Sequence, residues 1–404
     1  MSKLITNTIR HTGASSDSLT FNSDGHATVE NNLTVDGTST LTGNVTASGT
    51  LTASNFSGRN IVINGAMNVA QRGNVTGVTS SQYGGPDRFK WVESSDATVT
   101  INAPAITSIS GFGSAYQVDV TTADASLAVG QYAHIRTALE GRDLQKVKKG
   151  FSDAKPLTLS FWVYTNKTGN YTVHMYDADN TRHCSQLYTV SSASTWEKKT
   201  LTFPADTTGK FGNDSNKSLE IDWNLAAGTN STSGTLATTW AAYTEANASA
   251  GLNVNILDNT SNEFYLTGVQ LEVGDTATEF EHRSYGDELA RCQRYYEHSY
   301  NTGVAVGASS NVGGYYQTMV SDSSGNAAWS IEYKVQKRAV PSLSFYADDG
   351  TANQWDYNLS TASAGKATTT GFRSSLTHLN AYLDVGANWT PCYVLGHWIS
   401  SSEL

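Results

Sequence analysis

Positive charge is scarce in this chain: 26 Lys and Arg stand against 36 Asp and Glu, a net charge of −10 over 404 residues. Such a surface lacks the cations that meet phosphates, which excludes nucleic acid as a general partner. The short run Lys146–Lys149 reads as a solvated loop. Cysteine is scarcer still. Cys184, Cys292 and Cys392 are far apart and odd in number, so they supply neither a metal-binding pair nor a disulfide framework. Their apolar and aromatic neighbours predict buried free thiols. No apolar run is long enough to cross a bilayer, and Met1-Ser-Lys-Leu-Ile-Thr lacks the core of a secretion signal. The expectation is synthesis in a reducing cytoplasm without membrane insertion. Also missing are Gly-x-Ser-x-Gly, His-Glu-x-x-His and a phosphate loop. The sequence therefore predicts a non-enzyme with no cofactor and no metal. Asp177-Ala-Asp179 and Asp348-Asp349 lack the spacing of a calcium loop and read as solvated turns. A glycan-cleaving site needs two flanking carboxylates, and nothing in the sequence singles out Asp222 or Glu272 for that role.

What is abundant is aromatic and turn-forming. The chain holds 20 Tyr and 9 Trp, and charged residues make up only 15%. With much Ser, Thr, Asn and Gly, this composition predicts β structure with many turns and excludes intrinsic disorder. The length predicts two or three domains.

Between Gly25 and Ser54 five six-residue units run in register. Gly or Asn opens each one (Gly25, Asn31, Gly37, Gly43, Gly49), and threonine holds the fourth place (Thr28, Thr34, Thr40, Thr46, Thr52). The third and fifth places are largely apolar and share one face of an extended strand, opposite the threonines. Val29, Leu33, Val35, Leu41, Val45 and Leu51 form that stripe. It is too thin to offset the ordering of its own backbone in a single copy. Five hexads also make fewer than two coils of a one-chain β-helix. Three copies side by side bury the stripe, which predicts a triple-stranded β-helical stalk and a homotrimer. A Ser/Thr/Gly-rich flexible linker is the alternative.

The rest divides by pattern. Residues 1–24 precede the repeat, with Leu4, Ile5, Ile9, Leu19 and Phe21 available to dock on a larger body, and the stalk covers 25–58. A jelly-roll β-sandwich is predicted over 59–283, because short strands alternate there with Gly/Asn/Ser turns. Its clearest hairpin is read from Leu157 to Tyr176. A connecting helix is predicted over 284–298, capped by Ser284 and Asp287, with Leu289, Cys292 and Tyr296 on one face. Strands resume from Val304-Ala-Val306, giving a C-terminal β-sandwich domain over 299–404. The fold class is all-β.

Three stretches carry a family resemblance. Asn60-Ile-Val-Ile-Asn-Gly-Ala-Met-Asn-Val-Ala-Gln-Arg-Gly73 is followed by Tyr83-Gly-Gly-Pro-Asp-Arg-Phe-Lys-Trp91. Val269-Gln-Leu-Glu-Val-Gly274, Phe280-Glu281 and Tyr285 to Tyr296 close the segment. Together they resemble phage tail-fibre and receptor-binding proteins with a carbohydrate-module-like jelly roll. Ala70 departs from that pattern where an aromatic is usual, and Glu279 where proline often stands. The resemblance implies a virion component of a tailed phage that attaches to the host-cell surface by binding glycans. Its N-terminal segment then mounts on virion tail or adaptor proteins. The alternatives are an architectural head fibre or decoration protein without a specific receptor, a polysaccharide depolymerase tailspike and, outside viruses, a bacterial surface adhesin.

Saccharide binding needs flat rings that stack on sugar faces beside polar groups that fix hydroxyls. If Leu159, Phe161 and Val163 face the core, Trp162 and Tyr164 point outward, with His174 and Tyr176 joining them from the paired strand. These four are the glycan-contact candidates, and packing under a loop or against a neighbouring subunit is the competing reading. Tyr315, Tyr316, Trp355 and Tyr357 are candidates at a distal tip, against ordinary burial. Trp389 and Trp398 are expected in the core, and Arg72, Asp87 and Arg88 in structural hydrogen bonds.

Overall fold

In the computed structural model the described residues are 58–404, apart from 302, 361–363 and 370–371, together with three short strands ahead of them. The chain forms two units, Met1–Ser54 and Asn55–Leu404. In the first, Leu19–Phe21 pairs antiparallel with both Thr8–Ile9 and Ala27–Thr28. The stripe Val29, Leu33, Val35, Leu41, Val45 and Leu51, and with it the predicted stalk and trimer, lies outside the described residues.

The second unit begins with a β-sandwich of the jelly-roll kind. One sheet has six strands in the order Glu197–Phe203, Leu157–Thr165, Glu263–Val273, Tyr116–Thr122, Thr98–Asn102 and Val75–Val78. The other has seven: Ala241–Ala242, Arg182–Val190, Gly169–Asp177, Lys217–Ala227, Tyr132–Glu140, Lys90–Ser94 and Gln82–Tyr83. Alternating side chains from both sheets meet in one core, where Phe161 of the first contacts Tyr188 and Trp223 of the second at 5.2 and 5.8 Å between ring centroids. The expected burial of Leu157, Leu159, Phe161 and Val163 holds. The expected hairpin does not. Leu157–Thr165 and Gly169–Asp177 belong to opposite sheets, so the turn between them crosses the sandwich.

The opening and closing stretches singled out in the sequence meet in space. Asn60 Nδ2 donates to Val269 O at 3.0 Å, and Ile61 N donates to Leu271 O at 2.9 Å. Val269 N donates to Gly65 O at 2.9 Å, and a Cβ on Gly65 would lie 2.0 Å from Val269 O, so only glycine fits there. The conspicuous motif is thus the seam that closes the sandwich.

Ser284 Oγ accepts from Asp287 N at 3.2 Å, as the capping pattern predicts, but the helix ends at Gln293. Tyr296 is not on the helix: Tyr296–His298 is a strand, paired with the last strand, Pro391–Ser401. That eleven-residue strand is the spine of the C-terminal part. Tyr296–His298 and Tyr315–Val320 pair along one flank, and Ser342–Tyr346 and Gln354–Leu359 along the other. Where the partners change, a Cβ on Gly396 would come within 2.8 Å of Tyr346 O. A second sheet of Asn326–Glu332, His378–Asp384 and Phe372–Ser374 completes this part. Val304-Ala-Val306, expected as a strand, lies among turns.

Lys149 corrects the solvated-loop reading of its run. It is buried, with Nζ 2.6 Å from Asp177 Oδ2 and 2.9 Å from Asp206 Oδ2, and Asp177 is thereby committed to a structural ion pair. Arg72, Asp87 and Arg88 hold structure as expected, though the main partner of the two arginines, Glu403, was not foreseen. Arg88 pairs with Glu403 and donates to Ala138 O at 2.7 Å, while Arg72 lies 3.1 Å from Glu403 and 3.7 Å from Asp87. All three cysteines are buried free thiols.

Candidate functional site

The outer face of the seven-stranded sheet carries a line of polar side chains directly opposite one another across four strands. Lys90 faces Arg136, Arg136 faces Asp222, and Asp222 faces His174. In the adjacent row His134 faces Asn224, which faces Thr172. The alternation Tyr132-Ala-His-Ile-Arg136 places these groups outward while Ala133 and Ile135 enter the core.

Asp222 is the hub. Arg136 binds it with two parallel hydrogen bonds, Nε to Oδ1 at 2.6 Å and Nη2 to Oδ2 at 2.8 Å, and reaches Glu220 with Nη1 at 3.0 Å. His174 Nδ1 lies 3.5 Å from Asp222 Oδ2, and His134 Nε2 lies 3.6 Å from Oδ1. Burial alone raises the Asp222 carboxyl. The charge of Arg136, that of His134 once protonated, and the hydrogen bonds of Arg136 and His174 outweigh burial and hold it well below the usual carboxylate range. Burial lowers His134 to about 4 against the pull of Asp222, so its ring is neutral at pH 7.

The segment 228–251 roofs part of this face, tied down by Ser185 N donating to Ala237 O at 2.7 Å and Ser185 Oγ donating to Ala248 O at 2.8 Å. A cleft of about 220 Å³ remains between roof and sheet. Tyr132, stacked on His134 at 5.6 Å, and Tyr243, 41% exposed, line it together with Glu245. Two buried nitrogens in the lining, His134 Nε2 and His174 Nε2, make no hydrogen bond. Buried polar atoms are ordinarily satisfied. These two stand without a hydrogen bond in the cleft lining, beside the fixed Arg136–Asp222 pair and the Tyr132 and Tyr243 rings.

The four glycan-contact candidates do not come together. His174 and Tyr176 are on this face, with Tyr243 5.3 Å from Tyr176 and 6.1 Å from His174 between ring centroids. Trp162 and Tyr164 are on the outer face of the other sheet. Trp162 borders a pocket of about 290 Å³ with Phe112, Phe280, His282 and Lys198, and Tyr164 contacts Trp196 and Tyr265. Sequence reasoning missed Tyr132, His134, Arg136 and Tyr243 and had no ground to select Asp222. The polar–apolar alternation over 132–136 was the available signal.

Of the distal candidates, Trp355 is fully buried, its ring 4.6 Å from Trp329, so it is core and not a contact residue. Tyr315 and Tyr357 are half-buried against the same core, and only Tyr316 is open to solvent, at 60%. Trp398 is buried as expected. Trp389 is not: it is 69% exposed, on a left-handed backbone (φ 51°) ahead of the last strand. A groove of about 760 Å³ in this part is lined by Gln317, Ser330, Arg373, Asn380 and Tyr382, none of them a sequence candidate.

No protein-family model and no curated protein matches the sequence. Solved structures do resemble it. One is the enzymatically active domain of tailspike protein 4 of Bacteriophage CBA120, at 11% identity over 53% of this chain and 21% of that chain, TM-score 0.27. A putative sugar-binding protein from Bacteroides thetaiotaomicron is 12% identical over 53% of this chain and 100% of its own, TM-score 0.28. The family 11 carbohydrate-binding module of Clostridium thermocellum is 12% identical over 51% and 98%, TM-score 0.25. This chain thus spans about a fifth of the tailspike's length and essentially all of the two sugar-binding folds.

Proposed function

We propose that this chain is a trimeric attachment fibre of a tailed phage, a virion component that holds host-surface glycan non-catalytically in the cleft on the seven-stranded sheet. The observation that carries the binding reading is the pair of unsatisfied nitrogens, His134 Nε2 and His174 Nε2, beside the fixed Arg136–Asp222 pair. A polyhydroxylated ligand offers donors and acceptors to all four groups, and Tyr132 and Tyr243 supply flat surfaces for the sugar rings. The hexads support the fibre part of the reading, since their apolar stripe needs two further copies for burial. Three weak sites on one stalk raise avidity by roughly 10²–10⁴ when all reach one surface.

Labelled full-length protein incubated with host cells tests this. Tyr243→Ala and Tyr132→Ala are expected to keep the melting temperature and lower cell binding at least tenfold. Undiminished binding by both variants refutes the cleft. Sedimentation of the purified chain as a single copy refutes the fibre.

A further inference from the structure

The opposite face of the sandwich carries a second arrangement, independent of the cleft. Across the six-stranded sheet Asn102 faces Gln117, Gln117 faces Tyr265, and Tyr265 faces Tyr164. Trp196, from the edge strand's approach, completes a shelf of three half-buried rings. Its ring lies 5.5 Å from Tyr164 and 6.1 Å from Tyr265, and Tyr164 meets Tyr265 edge-on at 5.2 Å. The segment Pro104–Ser108 walls the shelf into a pocket of about 310 Å³, held by Trp196 Nε1 donating to Ser108 Oγ at 2.9 Å.

The next row of the same face is acidic. Asp119 sits opposite Glu263, and Glu263 Oε2 accepts from the Tyr265 hydroxyl at 2.8 Å, tying the carboxylate to the shelf. Both are half-buried, and among the described residues no Lys, Arg or His lies within ion-pair distance of either carboxylate. Burial, and behind it the charge of Glu263, raise Asp119 above its usual value. Two crowded carboxylates beside three electron-rich ring faces make a site for a cation: carboxylates give it charge-assisted hydrogen bonds, and ring faces attract it through their quadrupoles.

We propose that this shelf is a second saccharide site, and that it takes a glycan bearing a protonated amine, a 2-amino-2-deoxy sugar. The rings stack on the sugar and the ammonium sits by Glu263 and Asp119, while Gln117, donating to the Tyr265 hydroxyl at 2.7 Å and accepting from Asn102 Nδ2 at 3.1 Å, braces the shelf from behind.

The test is calorimetric titration of full-length protein carrying Tyr243→Ala, so that the cleft does not contribute. Three soluble oligosaccharides of equal length serve as probes: a β-1,4-glucosamine hexamer, its fully N-acetylated form and a glucuronate-containing hexamer. The expected order is glucosamine first, the N-acetylated form about tenfold weaker and glucuronate undetected, because the acetylated amide forfeits the charge-assisted hydrogen bond and a carboxylate is repelled. Trp196→Ala is expected to weaken the glucosamine hexamer at least tenfold, with Trp196→Phe recovering part of it. Asp119→Asn with Glu263→Gln should make the first two probes equal. Equal affinity for the amine and its acetylated form in the parent protein overturns the cationic assignment. Unchanged binding in Trp196→Ala, or no binding of any probe, overturns the site. Neither outcome bears on the cleft, which Tyr243→Ala tests separately on host cells.

Discussion

Glu403 provides a sharp test of how the C-terminal part is fastened to the sandwich. Its carboxylate meets both Arg88 and Arg72, and the Arg88 and Glu403 side chains are only 2% and 7% exposed. Removing one partner of a buried pair leaves the other charge without compensation, at a typical cost of 3–5 kcal/mol. Glu403→Gln falls at the lower end, because three supports remain. Arg88 keeps its bond to Ala138 O, its guanidinium still lies 3.5 Å over the Tyr295 ring, and Arg72 stays 3.7 Å from Asp87. About 3 kcal/mol is therefore expected. In a urea titration followed by tryptophan fluorescence, with a slope of roughly 3 kcal/mol/M, that lowers the midpoint by about 1 M. Arg88→Met alone should be similarly costly. The double variant should cost less than the two losses added together by at least about 1 kcal/mol, because the second substitution removes a charge already orphaned. A midpoint shift under about 0.3 M for Glu403→Gln, or strict additivity, refutes the buried pairing.

Three further outcomes follow from the same reasoning. Lys149→Met leaves Asp177 without a cation, while Asp206 keeps Arg182 at 2.9 Å, and should cost about 3 kcal/mol in the same titration; a loss under 1 kcal/mol contradicts the burial described. His134 titrates near 4 when folded against about 6.5 when unfolded, so the unfolded chain binds the extra proton and stability falls as pH drops through that window. Wild type should lose up to about 3 kcal/mol relative to His134→Gln between pH 6.5 and 4, and a pH-independent difference between the two refutes this. Gly65→Ala drives a methyl into Val269 O, and backbone cannot step aside cheaply. Destabilisation of about 3 kcal/mol or insoluble protein is expected, and a neutral result shows that the seam is not closed as described.

Local alternation made much of the sandwich legible. Leu157, Leu159, Phe161 and Val163 announce a buried face because a strand's side chains alternate whatever its partners are. Pairing was not legible. The turn after Thr165 reads the same whether it returns a hairpin or crosses to the other sheet, and only the long-range partners, Glu263–Val273 and Lys217–Ala227, decide. The candidate quartet failed for that reason, since correct outward orientations were assigned to the wrong common face. Trp355 and Trp389 show a related limit. Both are tryptophans near turns, and which of them enters the core depends on the Trp329 ring and the bend before Pro391, contacts that no local pattern encodes. The ion-pair hubs at Asp222, Lys149 and Glu403 join residues tens to hundreds of positions apart and leave no periodic trace.

The strand Pro391–Ser401 has a mechanical consequence. It is laddered on both flanks to four different strands, so tension along its axis loads many hydrogen bonds in parallel shear instead of peeling them one by one. Pulled along that axis, this part of the molecule is expected to be stiff and slow to rupture, a property owed to strand order and not to any single strong contact.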